Sequence, residues 1–384
     1  MKIMSLGFRI FSIFIFISSS INMGCIANEK EVVKENNSSE KYIDIPSILP
    51  DWPDRDYHDY QATVDMLKIF NDRYPGLVDI FSIGKSVLGR DIWCIRLTNE
   101  REDSGKYSCL IDGCIHGNEW EAGEACLYLA NYLLINFDRN KTITDILNKT
   151  EVPIVPLFNP DGRENDDRFN ANGIDLNRNF DVHFGRLRSR NYPLGKLFGF
   201  IKIPMIKIPG THIIFTNAGR YPFSEPETKA IENLAYYLAS KNLSFYVNCH
   251  TAQHFVSSIV EITYKPEFHA TEHEIEILDY IADWINENTE YTGFRVEDIS
   301  YAGSGVAHHW FFKEFHIPSF IFEILSKDYE PWYGHGRHDH LVHWMKTTLP
   351  VFMYLLVNIE NLHNWEIPDN SPALPEGVPP PPFS

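Results

Sequence analysis

Leu110-Ile111-Asp112-Gly113-Cys114-Ile115-His116-Gly117-Asn118-Glu119-Trp120-Glu121 carries three signals in succession. A short apolar run stops at Gly113, a histidine and a carboxylate follow three positions apart, and a helical spacing opens with Ala122, Ala125, Cys126, Leu129 and Leu133. The pattern predicts a strand-to-helix turn bearing two metal-ligand side chains. Imidazole and carboxylate suit Zn²⁺, and a catalytic zinc takes three protein ligands and leaves a fourth position for water. The same spacing also describes a capping carboxylate beside an unrelated histidine, so the reading depends on what the rest of the chain supplies.

Downstream, Leu243-Ser244-Phe245-Tyr246-Val247-Asn248-Cys249-His250 is a second apolar run that ends in a histidine, and His250 completes a His₂Glu set with His116 and Glu119. Glu323 lies in Pro318-Ser319-Phe320-Ile321-Phe322-Glu323-Ile324-Leu325, where its neighbours are apolar. Burial raises a carboxyl pKa, and such a group is suited to take a proton from an attacking water and hand it to a leaving amine. A third cluster, Asn159-Pro160-Asp161-Gly162 and Gly173-Ile174-Asp175-Leu176-Asn177-Arg178-Asn179-Phe180, has the Asn, Asp and Gly content of turns. Turn chemistry does not call for arginines: Arg178 beside Asn177 offers a planar fork for a carboxylate plus a neutral donor, and Arg168 is a further cation nearby in sequence.

Around these motifs the elements alternate. Tyr57 to Arg73 has helical spacing, Val78 to Ile83 and Ile92 to Thr98 read as strands, residues 119–137 as a helix, and Val152 to Phe158 as a strand. Ser224-Glu225-Pro226-Glu227 has the form of a capping box ahead of Ile231, Leu234, Ala235 and Leu238. Strands alternating with helices predict an α/β fold, with the site at the strand ends.

The outer parts of the chain read differently. Residues 1–24 hold Lys2, Arg9 and the run Ile10 to Ile17, the layout of an export signal, and Asn22-Met23-Gly24-Cys25 resembles a lipoprotein cleavage box except at Asn22. Residues 25–50 read as a flexible tether, 51–365 as one catalytic domain, and 366–384 as a Pro-rich tail. The expected location is extracytoplasmic, secreted or lipid-anchored at the cell surface. With 52 acidic and 34 basic residues the formal net charge is -18, which excludes nucleic acid as a main partner and leaves a lipid at Cys25 as the route to a membrane. Most of the six cysteines sit in apolar patterns, so no disulfide framework is expected, although Cys109 and Cys114 could bridge.

The set His116-x-x-Glu119, Asn159-Pro160-Asp161-Gly162, Asp175-Leu176-Asn177-Arg178-Asn179, His250, Tyr301 and Glu323 resembles the zinc metallocarboxypeptidases of the A/B and E/N/D types, over about residues 55 to 360. The resemblance implies an α/β domain with a mixed, mostly parallel eight-stranded sheet sandwiched between helices, acting as a monomer on the C-termini of peptides or proteins. It implies one Zn²⁺ per chain held by His116, Glu119 and His250, with Asp175 orienting His116. Glu323 would be general base and then acid, Arg168 would stabilise the oxyanion, and Asn177, Arg178 and Tyr301 would clamp the substrate carboxylate. Glu261, placed 11 positions after His250, and His308, placed 15 before Glu323, fall at the positions that set specificity in the two branches. Glu261 and the net acidity lean towards C-terminal Lys or Arg; His308 is neither the aliphatic residue nor the aspartate of the A/B branch. A carboxypeptidase for peptidoglycan stem peptides and an amidase of the same fold remain open. The basic and apolar stretch between Arg186 and Gly210 is longer than the resemblance requires and reads as a rim loop.

Overall fold

The computed structural model describes residues 57–102, 105–184, 205–207, 214–251, 255–258, 270–295, 304–324 and 338–369. The expected export signal and tether, most of the 186–210 stretch, the tail beyond residue 369, Tyr301 and Glu261 lie outside the described residues.

In chain order the elements are α1 (Tyr60–Arg73), β1 (Val78–Lys85), β2 (Asp91–Leu97), β3 (Tyr107–Asp112), α2 (Trp120–Asn136), α3 (Lys141–Lys149), β4 (Thr150–Val155), α4 (Pro160–Glu164), β5 (Met205–Lys207), β6 (Ile214–Thr216), α5 (Pro226–Ala239), β7 (Leu243–His250), β8 (Phe255–Ser258), α6 (Glu272–Asn288), β9 (Thr292–Arg295), α7 (Ala307–Phe315), β10 (Ser319–Glu323), α8 (His338–Val357) and α9 (Ile359–Asn364). Eight strands form one mixed sheet in the order β1-β2-β4-β3-β7-β10-β8-β9, flanked by helices, and β5 and β6 form a separate antiparallel pair. The centre, β4-β3-β7-β10, is parallel throughout, so the carboxyl ends of these four strands share one edge.

The sequence accounts for this centre. Every residue of β7 is buried, as expected of a parallel strand covered on both faces, and β3 is buried from Ser108 onward. Helix α2 is buried along nearly its whole length and packs on β3, β4 and β7 as well as on α3 and α8. Its apolar residues therefore encircle it rather than forming one stripe. Each buried leucine of α2, such as Leu129 and Leu133, contributes about 1.5–3 kcal/mol by leaving water.

Two expectations are corrected. Ser224 does not cap α5: Glu225 is the N-cap residue, the Ser224 hydroxyl donates to Glu225 Oε1 at 2.9 Å, and Glu227 accepts from the Val87 and Asn170 N–H groups instead. Two distant segments outbid the local box. Cys109 and Cys114 do not bridge; among the described residues Cys94, Cys109, Cys114, Cys126 and Cys249 are all free and buried.

Candidate metal centre

The centre is built on strand ends. Strand β3 runs out at Asp112, the chain turns through Cys114 with a positive φ of 55°, and His116 and Glu119 follow before α2 begins. The Cys114 thiol donates to the Glu119 carbonyl at 3.2 Å, which closes this turn. Glu119 stands at the N-cap position of α2 but makes no side-chain cap hydrogen bond. Its carboxylate faces the other way, 2.7 Å from His116 Nδ1 through Oε1 and 2.7 Å from His250 Nδ1 through Oε2. The capping alternative is thereby removed.

His250 is the last residue of β7 and the register partner of Glu323, the last residue of β10. His116, Glu119 and His250 are buried, and their ligand atoms lie within 4.8 Å of one another. Burial pushes the Glu119 carboxyl up, but the two imidazoles outweigh it and hold it well below the ordinary carboxylate range.

The donor set fits zinc on a further count. A metal-ligating imidazole must offer a lone pair at one nitrogen, which requires its proton at the other. His116 Nε2 lies 3.1 Å from Asp175 Oδ1, and His250 Nε2 lies 2.5 Å from Asn248 Oδ1. With both Nε2–H groups donating to oxygen, both Nδ1 lone pairs face the Glu119 carboxylate. His116, Glu119 and His250 would thus hold Zn²⁺ as a His₂Glu set.

Asp175 is fully buried. Burial pushes its carboxyl up, but Arg168, Arg178 and His116 together hold it well below its usual range. Arg168 reaches Asp175 Oδ2 through Nε at 3.2 Å and Nη2 at 3.1 Å, and its Nη1 approaches His116 Nδ1 at 3.1 Å and Glu119 Oε1 at 3.4 Å. One cation therefore spans the orienting carboxylate and the ligand carboxylate. The loop bearing it is anchored by the Asn159 turn, where Asn159 Oδ1 accepts from the Gly162 N–H at 2.9 Å and Asp161 pairs with Arg90 at 2.6 Å.

Glu323 projects from the end of β10 with Oε2 buried and, among the described residues, without a hydrogen-bond partner. Burial pushes its carboxyl up to about 7, reinforced by the Glu119 charge and opposed by His250, Arg168 and Arg178. A carboxylate poised there is suited to proton transfer near neutral pH.

Asn177 and Arg178 sit in a 3₁₀ turn, Leu176–Arg178. Gly305, with φ of 69°, lies against this turn so closely that a Cβ on it would come 2.1 Å from the Arg178 carbonyl oxygen; only glycine fits. Asn177 is buried and committed inward: its Oδ1 accepts from the Ala307 N–H at 2.8 Å, and its Nδ2 lies 3.1 Å from His250 Nε2. Arg178 exerts its charge on Asp175, Glu323 and His308. His308, on the first turn of α7, is buried with Nδ1 lacking a hydrogen-bond partner among the described residues; burial, then His250 and Arg178, lower its pKa to about 3, so the imidazole is neutral.

Nine of the eleven residues singled out in the sequence fall among the described residues, and the fold brings His116, Glu119, His250, Asp175, Arg168, Asn177, Arg178, His308 and Glu323 to one edge of the sheet. Sequence reasoning missed Asn248 and Asp112. Their signal was present, since each is a polar residue inside an otherwise apolar strand.

Residues 63–200 match the zinc carboxypeptidase family model. By this match the chain is similar to the zinc carboxypeptidase family. Among relatives of this family, it is 34% identical to carboxypeptidase D of Drosophila melanogaster over 141 residues, which is 34% of this chain and 10% of that protein. It is 24% identical to human carboxypeptidase A6 over 294 residues, 71% of this chain and 61% of that protein. These matches span less than two thirds of either relative's length. The crystal structure of thrombin-activatable fibrinolysis inhibitor shares the fold, with a TM-score of 0.61 at 20% identity over 80% of this chain and 75% of that one.

Proposed function

We propose that this chain is a zinc-dependent metallocarboxypeptidase that removes the C-terminal residue of peptides or proteins, with a preference for Lys or Arg. The observation that carries the reading is the convergence of the His116 Nδ1, Glu119 and His250 Nδ1 ligand atoms beside a Glu323 carboxylate whose Oε2 has no hydrogen-bond partner among the described residues. Bound zinc supplies Lewis-acid polarisation of the scissile carbonyl and a more acidic water.

The chain's own residues do the rest. Glu323 takes a proton from the attacking water and passes it to the leaving amine, and Arg168 stabilises the negative charge that develops on the carbonyl oxygen. Arg178, with Tyr301, holds the terminal carboxylate, which makes the enzyme an exopeptidase; Asn177, expected to join that clamp, has its amide engaged with Ala307 and His250 and supports the turn that carries Arg178. The preference for Lys or Arg rests on Glu261 and on the net charge of -18, because the neutral His308 brings no countercharge to the pocket-floor position. The export-type segment at residues 1–24 supports action outside the cytoplasm, secreted or anchored through Cys25.

Release of the last residue from acyl-dipeptides ending in Lys, Arg, Phe, Leu, Glu or diaminopimelate, with chelator and with zinc restored, tests both levels. Zinc-dependent release of Lys or Arg above Phe is expected. Preference for Phe or Leu would keep the activity and remove Glu261 as its determinant; no release of any residue by zinc-loaded protein would sink the proposal.

A further inference from the structure

The two imidazoles of the metal centre are oriented by different means. His116 Nε2 meets a single acceptor, Asp175 Oδ1. His250 Nε2 meets two amides that make opposite demands: Asn248 Oδ1 at 2.5 Å needs a hydrogen on Nε2, whereas Asn177 Nδ2 at 3.1 Å needs Nε2 bare. The first demand leaves the lone pair at Nδ1, facing Glu119 and His116. The second puts the hydrogen at Nδ1, where it blocks coordination.

Which amide prevails depends on how firmly each is held. Asn177 keeps its orientation through the Ala307 N–H. Asn248 keeps its own through Asp112, its register partner on β3, whose Oδ1 accepts from Asn248 Nδ2 at 2.5 Å. Asp112 is fixed in turn, because its Oδ2 accepts from the Tyr246 hydroxyl at 2.7 Å and the Tyr246 ring is stacked on Phe311 of α7 at 3.7 Å between centroids. A carboxylate whose two oxygens both accept draws the Asn248 NH₂ towards itself, so the Asn248 oxygen must face His250. All four polar residues, Asp112, Tyr246, Asn248 and His250, are buried, so losing one partner leaves a buried polar group unpaired.

We propose that Asn248, locked by Asp112 and Tyr246, is a positioning residue that selects the Nδ1-ligating tautomer of His250 and so sets the affinity of the site for its metal. The inference rests on the zinc reading above and adds to it a second orienting relay, built from an amide backed by a carboxylate, where His116 uses a carboxylate directly. Residues behind a ligating histidine commonly influence metal affinity by about 10- to 100-fold.

The test is zinc affinity by competition with a chromogenic chelator, together with the visible spectrum of the Co²⁺-loaded protein and the circular dichroism of each variant. Asn248→Leu keeps the side-chain volume and removes both amide functions; about 10- to 100-fold weaker zinc binding and an altered cobalt spectrum are expected. The double variant Asp112→Asn with Asn248→Asp reverses donor and acceptor across the pair and restores an oxygen for His250, so its zinc affinity should return towards wild type. Tyr246→Phe, which leaves the ring stacking intact, should weaken zinc binding with little change in fold, and it carries the test if Asn248→Leu does not fold. Wild-type zinc affinity and an unchanged cobalt spectrum in folded Asn248→Leu, or unchanged affinity in Tyr246→Phe if the leucine variant does not fold, would overturn the inference and leave the proposed activity standing. Failure of the wild-type chain itself to bind zinc would remove both.

Discussion

Gly117 meets Gly162 backbone to backbone: a Cβ on Gly117 would lie 2.0 Å from the Gly162 carbonyl carbon and 2.3 Å from the Arg163 nitrogen. The turn that carries His116 and Glu119 is thus seated on the turn that leads to Arg168. Ligand and cation reach the same point because nothing larger than hydrogen separates the two backbones. Gly117→Ala should force them apart, lowering stability by about 1–3 kcal/mol and weakening zinc binding. Thermal melts and zinc titration check this, and a variant with unchanged zinc affinity would show that the contact only packs.

Glu323 is not one of the three converging ligand residues, so Glu323→Gln should retain zinc while losing about 10²- to 10⁴-fold in kcat. Burial holds the Glu323 carboxyl up at about 7, and the base must be ionised to act, so activity should rise with pH through an acidic limb. A bound cation nearby favours the ionised form, which places that limb no higher than about 7. A pH profile of kcat/KM with no acidic limb would argue for a different base.

Arg168 is held by Asp175 through two nitrogens, which fixes its fork before substrate arrives. Arg168→Lys keeps the charge and loses the fork; kcat should fall about 10²- to 10³-fold with a smaller change in KM, as for removal of an oxyanion donor. Steady-state kinetics on one acyl-dipeptide are enough to separate the two parameters. A loss confined to KM would assign Arg168 to ground-state binding.

Metal removal should lower the melting temperature as well as abolish activity, since a ligand bound to the folded chain alone stabilises it by about 4 kcal/mol at a thousandfold excess over Kd. Chelation followed by calorimetry measures this, and zinc addition should reverse it. The shift should vanish in His250→Ala, which removes one of the three ligands.

Glu227 offers a stability test away from the chemistry. It is fully buried, and burial, with the Glu225 charge adding to it, pushes its carboxyl up to about 7. A folded-state pKa above the unfolded value means the folded chain binds the extra proton, so stability is highest below about pH 4.5 and falls as pH rises towards 7. Glu227→Gln should therefore melt higher than wild type at pH 8, by about 1–3 kcal/mol in stability, and lose that advantage at pH 5. Equal melting of the two proteins at pH 8 would mean that Asn170 and the Val87 N–H satisfy the charged form fully.

Much of the centre was legible from residue types and spacing. His116 and Glu119 announce themselves because a strand stops and a helix starts within a few residues, and His250 and Glu323 because each ends an apolar strand. The capping box at Ser224 failed because it is a local pattern, and the partners that Glu227 prefers, Val87 and Asn170, are distant in sequence.

Local pattern, then, determined the strands, the helices and the kinds of ligand, because side-chain periodicity and turn chemistry act over a few residues. Only the tertiary structure decided which groups meet. Parallel pairing sets Asp112 opposite Asn248 and His250 opposite Glu323, and these registers bring a carboxylate to an amide and a base to a ligand. Such pairings depend on how strands slide past one another in a buried sheet, a quantity that no short stretch of sequence contains.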